Sequence, residues 1–205
     1  DALSQDTLFV GIENDPVTAR VAKALYPNQV IRCVDFDKAP LPADFDLAIG
    51  NPPFSNLTIQ NRTELGKLGL SLHDYFIAKS LEHLRPGGIA LFVTSRYSLD
   101  KSDPKARHHI DGIADFLGAV RLPGKAMRQE AGTDVVVDIL LFQKHTPDAL
   151  PRTQNWIELA EIPDSDEGFG PLRINRYFLD HPDHVLGRHE WRSGQFGMDY
   201  NCAAD

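Results

Sequence analysis

The 205 residues alternate short apolar runs with amphipathic stretches, and this alternation restricts the chain to a small set of folds. Residues 8–12 (LFVGI) read as a buried strand. Asp15-Pro16 supplies a helix cap followed by the residue favoured at the first helical position, so a helix is predicted through Val17, Val21, Ala24 and Leu25, stopping before Pro27. Residues 29–34 (QVIRCV) and 46–49 (DLAI) predict two more strands, the latter ending at Gly50-Asn51-Pro52-Pro53-Phe54. Residues 55–70 read as a flexible loop. Residues 72–84 predict a helix with Leu72, Phe76, Leu81 and Leu84 on one side, ended by Pro86-Gly87-Gly88. Residues 89–94 (IALFVT) are the next strand. Asp103-Pro104 opens a helix with Ile110, Ile113 and Phe116 or Leu117 inward, and 119–122 and 135–142 (VVVDILLF) are the last two strands. Strands separated by helices imply an open, mostly parallel α/β sheet. The final two strands, joined without a clear helix, predict an antiparallel pair at one edge.

After His145 the character changes. Prolines 147, 151, 163, 171 and 182 interrupt the pattern, residues 164–167 are acidic, and only residues 156–162 (WIELAEI) alternate like a strand. The expected division is therefore a core at 1–145 and an irregular extended appendage, or the start of another domain, at 146–205. The first residue is Asp1 rather than Met, so the chain is expected to be a piece of something longer.

Composition narrows the function. Lys and Arg number 21 against 29 Asp and Glu, a formal charge of −8, so the surface is not coated with phosphate-binding cations. Any nucleic-acid contact needs local positive charge or another domain. The two cysteines, Cys33 and Cys202, stand in unrelated contexts, and the eight histidines show no ligand spacing, so no metal site is expected. No apolar run approaches the roughly 20 residues of a membrane span, and no signal peptide is present, which points to a reducing cytoplasm.

In open α/β sheets ligands sit beyond the carboxyl ends of the strands. Three predicted strand ends carry suggestive groups. Glu13-Asn14 follows the first, and an acid there suits a ribose diol. Asp35-Phe36 follows the second, where a carboxylate can accept from an adenine amine and a ring can pack beside it. Asn51-Pro52-Pro53-Phe54 follows the third and is the most specific. Two prolines remove two backbone donors, so nearby carbonyls face few internal competitors. An Asn and a proline carbonyl can together accept both hydrogens of one exocyclic amine, which turns its lone pair into a better nucleophile. Phe54 can stack on the ring that bears the amine. Ser95-Arg96-Tyr97 ends another strand and reads either as part of a substrate face or as a surface turn. Arg121, Lys125 and Arg128 form a modest basic stretch that reads either as phosphate contacts or as a solvated loop. Met127 reads as a base contact or as ordinary packing, and Asp138 as a solvent-facing residue at a sheet edge.

The order GIEND, VDF, FDLAIGNPPF and LRPGGIALFVTS resembles class I S-adenosylmethionine-dependent methyltransferases, and within them the N6-adenine DNA methyltransferases. LGAVRLPGKAMRQEAGTDVVVDILLFQK is similar to the later part of those enzymes, and RYFLDHPDHVLG to methylase modules in methylase–helicase polypeptides of phages and mobile elements. The resemblance covers residues 8–145 well and the tail loosely. It implies a Rossmann-like fold, S-adenosylmethionine as cofactor and an adenine flipped out of DNA as substrate. Asn51 and Pro52 would hold the amine, with Pro53 completing the motif, and Phe54 would stack on the base. Glu13 and Asn14 would flank the cofactor ribose and adenine, and Asp35 and Phe36 would bind its adenine. Met127, Arg121 and Arg128 would face the substrate. A recognition region elsewhere, and a helicase or restriction partner, would complete the system. The family's glycine-rich first motif and first strand are expected to lie upstream in a longer parent protein, the alternative being that this chain binds the cofactor poorly. Methylation of guanine N2 in RNA or of a protein glutamine, and a non-catalytic fragment of a methylase–helicase, remain open alternatives.

Overall fold

Asp15 starts the first helix as its chemistry requires: its carboxylate accepts from Thr18 N at 2.7 Å and Pro16 follows. The computed structural model describes residues 7–55, 57–124, 126, 135–148, 150, 155–163, 165–194 and 197–204, and the chain divides into two compact units, Asp1–Pro42 and Ala43–Asp205. In the first unit, β1 (Val10–Glu13) and β2 (Val30–Cys33) pair in parallel, from Val10↔Val30 to Glu13↔Cys33. α1 (Pro16–Leu25) connects them. Ala19 is its buried residue, while Val17, Val21 and Leu25 are exposed, because two strands offer little surface to cover.

The second unit is built on a four-stranded sheet of β3 (Phe45–Gly50), β4 (Leu84–Ser95), β5 (Ala114–Arg121) and β6 (Val137–Lys144), in the order β3-β4-β6-β5. β3 and β4 are parallel, and β6 runs antiparallel to both of its neighbours. The antiparallel pair is therefore at the edge, as the short connection between them implies, but the later strand, β6, lies inside and β5 takes the edge. Between β3 and β4 lie α2 (Glu64–Lys67), capped by Thr63 within the stretch read as a loop, and α3 (Leu72–Glu82). α4 (Tyr97–Asp100) and α5 (Lys105–Asp111) follow β4.

Pro86-Gly87-Gly88 does more than end a helix. β4 already begins at Leu84, and its register against β3 shifts between Phe45 and Leu47, so these residues bulge inside the strand. A Cβ at Gly88 would lie 3.0 Å from Arg85 O and 3.1 Å from Phe45 O, so the bulge closes only around a glycine. β5 likewise starts earlier than predicted, absorbing Phe116 and Leu117 from the expected helix.

The tail joins this core. β7 (Leu159–Glu161) pairs with β8 (Arg173–Asn175), α6 (Arg176–Asp180) and a short 3₁₀ turn (Pro182–His184) follow, and β9 (Arg188–Gly194) pairs with β10 (Gly197–Ala203). The change of character at residue 146 is thus not the edge of a core. Trp156, 2% exposed, stacks on Phe116 at 4.8 Å, and Tyr177 meets the same ring edge-on at 5.0 Å. Leu172, Ile174, Phe178 and Cys202 are buried with them. These residues cover one face of the sheet, formed by Ala90 and Phe92, Leu140 and Phe142, and Phe116 and Ala119.

Candidate active site

The first unit gathers one group of expected ligands. Glu13 ends β1 and Cys33, its register partner, ends β2, so Asn14, Asp35 and Phe36 follow at the same carboxyl edge. Val34 N donates to Glu13 O at 3.0 Å, and Cys33 Sγ approaches Asn14 O at 3.9 Å, which ties the two strand ends together. Glu13 Oε1 accepts from Asp15 N at 2.8 Å, leaving its second oxygen for another donor. The Asp35 carboxylate accepts from Lys38 Nζ at 2.6 Å. That hydrogen bond, together with the Lys38 charge, holds Asp35 below the usual carboxylate range. Two carboxylates at adjacent strand ends can receive a diol and an exocyclic amine.

The second unit carries the proline motif. β3 ends at Gly50, and residues 51–55 leave the sheet without regular structure. Pro52 is buried, Phe54 is half-buried, and Asn51 and Pro53 are exposed. Gly50 is opposite Phe92 in β4, and a Cβ there would lie 3.1 Å from that ring. The exit of the motif from the sheet is therefore set by a glycine that lets β3 lie against Phe92. Beyond the motif, Leu72 N donates to Leu57 O at 2.8 Å and Ile59 N to Leu70 O at 3.1 Å, with Thr58 bridging Ser71. The segment is thus pinned on both sides: by β3 and by the start of α3.

At the carboxyl end of β4 the side chains differ from expectation. Arg121 and Asp138, register partners in β5 and β6, are both 0% exposed. Arg121 Nε and Nη2 donate to the two Asp138 oxygens at 2.8 Å each, and Nη1 lies 2.9 Å from Asp100 Oδ2. The guanidinium also faces the Phe178 ring at 4.2 Å. Arg121 is therefore an internal ion pair and not a phosphate contact. Asp138 does not face solvent: β6 is interior to the sheet, and Asp138 shares the covered face of Leu140 and Phe142. Burial pushes the Asp138 carboxyl up while Arg121 draws it back, and the carboxylates keep Arg121 charged. Arg96, read either as part of a substrate face or as a surface turn, is 7% exposed and donates to Asp199 Oδ1 at 2.6 Å. Met127 and Arg128 lie outside the described residues. Sequence reasoning missed the Arg96–Asp100–Arg121–Asp138 set because two of its members come together only through strand register.

Among the described residues no group of three or more His, Cys, Asp or Glu could hold a metal, and no helix is long and apolar enough to cross a membrane.

No protein-family profile and no curated protein matches the chain. Solved structures do. A protein from Listeria monocytogenes assigned to the class I S-adenosylmethionine-dependent methyltransferases superposes with a TM-score of 0.57 at 19% identity, over 71% of this chain and 47% of that one. The EcoKI M protein, from a type I restriction enzyme, gives 0.57 at 20% identity, over 87% and 40%. A modification subunit assigned to a type I restriction enzyme of Vibrio vulnificus YJ016 gives 0.55 at 15%, over 67% and 33%. The chain spans less than half the length of each of these three. Its fold is the Rossmann-like α/β fold shared by class I S-adenosylmethionine-dependent methyltransferases and by type I modification subunits.

Proposed function

We propose that this chain is the catalytic core of a methyltransferase that acts on an exocyclic amine, the N6 of adenine in DNA. The observation that carries the reading is Asn51-Pro52-Pro53-Phe54 leaving the carboxyl end of a parallel strand in a fold shared with methyltransferases. Asn51 Oδ1 and the Pro52 carbonyl accept the two hydrogens of the amine and orient its lone pair. Phe54 packs on the flipped ring. Positioning and fixed acceptors supply the rate enhancement. No side-chain nucleophile is required.

The residues of the first unit fit the adenosine half of S-adenosylmethionine: Glu13 takes the ribose diol, Asp35 the adenine amine, and Asn14 and Phe36 flank the ring. The observations that favour this fit are that Asp15 N occupies one Glu13 oxygen alone and that Lys38 holds Asp35 below the usual carboxylate range. When bound, the cofactor supplies an electrophilic methyl carbon on a sulfonium centre. DNA recognition and any helicase or restriction partner belong to other regions of the system.

Labelled cofactor offered with DNA, RNA and protein substrates tests the reading. Incorporation into DNA is expected, and Asn51→Ala should lower it by about 100-fold or more with cofactor binding unchanged. Incorporation into RNA or protein alone, or near-normal turnover of Asn51→Ala, overturns it.

A further inference from the structure

We propose that a cavity at the carboxyl end of β4 holds one nucleotide of the nucleic-acid strand, apart from the target base. The cavity has a volume of about 260 Å³. That is below the roughly 300–1,000 Å³ of drug-sized sites and suits one planar ring with its sugar. Its walls come from elements far apart in the chain: Arg96 after β4, Leu159 in β7, Leu172 and Arg173 at β8, and Trp191 and Asp199 on the β9–β10 hairpin.

Their chemistry matches a nucleotide part by part. Trp191 is a fixed wall: its Nε1 donates to Ser165 O at 3.1 Å, and Phe169 supports the ring at 6.0 Å. A ring held in one orientation is a stacking platform that costs little entropy to use. Leu159 and Leu172 give an apolar floor. Arg96 and Asp199, bonded at 2.6 Å, close one side as a satisfied pair, since Asp199 also accepts from Tyr200 N at 2.8 Å and from Tyr97 Oη at 3.1 Å. Arg96 is itself held over the Tyr97 ring at 4.2 Å. Arg173 supplies the charge for a phosphate: its side chain is 62% exposed and its ion pair with Glu161 is loose at 3.9 Å. An extended peptide would leave the flat wall unused. The identification of the strand as DNA rests on the proposed function; the site itself rests on these contacts.

The chain has two tryptophans, and the other, Trp156, is buried under Phe116, so fluorescence quenching reports on the cavity. A short single-stranded oligodeoxynucleotide and, separately, dAMP are titrated into the whole chain and into its Asn51→Ala form. The oligonucleotide is expected to quench Trp191 in both. Arg173→Ala, a surface change that leaves the fold intact, should raise the apparent Kd, and Trp191→Ala should raise it roughly tenfold or more, read by anisotropy of a labelled oligonucleotide. Quenching without methyl transfer to DNA keeps this site and removes the proposed function. Transfer to DNA without quenching, quenching by dAMP alone, or an unchanged Kd in both variants overturns the site.

Discussion

Arg121 illustrates how a side chain changes meaning once its neighbours are known. In the sequence it belongs with Lys125 and Arg128, a basic stretch after a strand. In the structure, β5–β6 register puts it against Asp138, and α4 adds Asp100. A buried charge persists only when paired, so removing one partner leaves an uncompensated ion. Asp138→Asn is expected to cost about 3–5 kcal/mol, measured by urea denaturation, whereas Arg121→Met combined with Asp138→Leu should cost much less. Glu13, Asp35 and Asn51 were legible as candidates because each follows a strand-like run, a local signal. The ion pair was not, because no local signal reports which residues of two strands stand opposite. His189 adds a pH effect. Burial first, then the Arg121 charge, lower its pKa from 6.5, while its Nδ1 lies 2.8 Å from Tyr200 Oη. A histidine lowered in the folded state binds fewer protons there than when unfolded, so its contribution is complete above the unfolded value and is lost as pH falls below it. Stability should decline as pH drops below about 6.5, and His189→Gln should flatten that limb in denaturation series at stepped pH.

Elements were read more reliably than their ends. Apolar runs located all six strands of the two main sheets, and Asp15-Pro16 located α1. One misreading lies where glycine serves packing rather than termination. Gly87-Gly88 looked like a stop, but Gly88 closes a bulge that needs its missing side chain. Gly50 is the same kind of residue with more at stake, since the proline motif leaves the sheet from it. Gly50→Ala puts a Cβ 3.1 Å from the Phe92 ring, and overpacking of this kind typically costs about 1–3 kcal/mol. Phe92→Leu introduced with it should recover part of that loss, read as a melting temperature closer to wild type than the sum of the single changes. Under the proposed function, methyl transfer in Gly50→Ala should fall further than stability alone requires, because the shift occurs at the base of Asn51-Pro52-Pro53-Phe54.

At the scale of the molecule, residues 155–204 complete the second unit. Their prolines and acids disguised this: composition averages over a segment, while a few aromatic anchors decide where it packs. Trp156 is the largest of them. Trp156→Ala is expected to destabilise the second unit by about 3–5 kcal/mol in equilibrium denaturation. Removing everything after His145 should leave that unit without cooperative unfolding. An exposed appendage would instead tolerate both changes.

The Phe116–Trp156 stack also has a temporal side. During synthesis, β3 to β6 leave the ribosome before the residues that cover their apolar face, and contacts of such sequence separation form slowly. The nascent chain therefore carries an uncovered sheet face until the segment that holds Trp156, Tyr177 and Phe178 arrives, the interval in which chaperones bind such surfaces. Slowing translation within the tail should lower the yield of soluble protein, whereas slowing it before β3 should not.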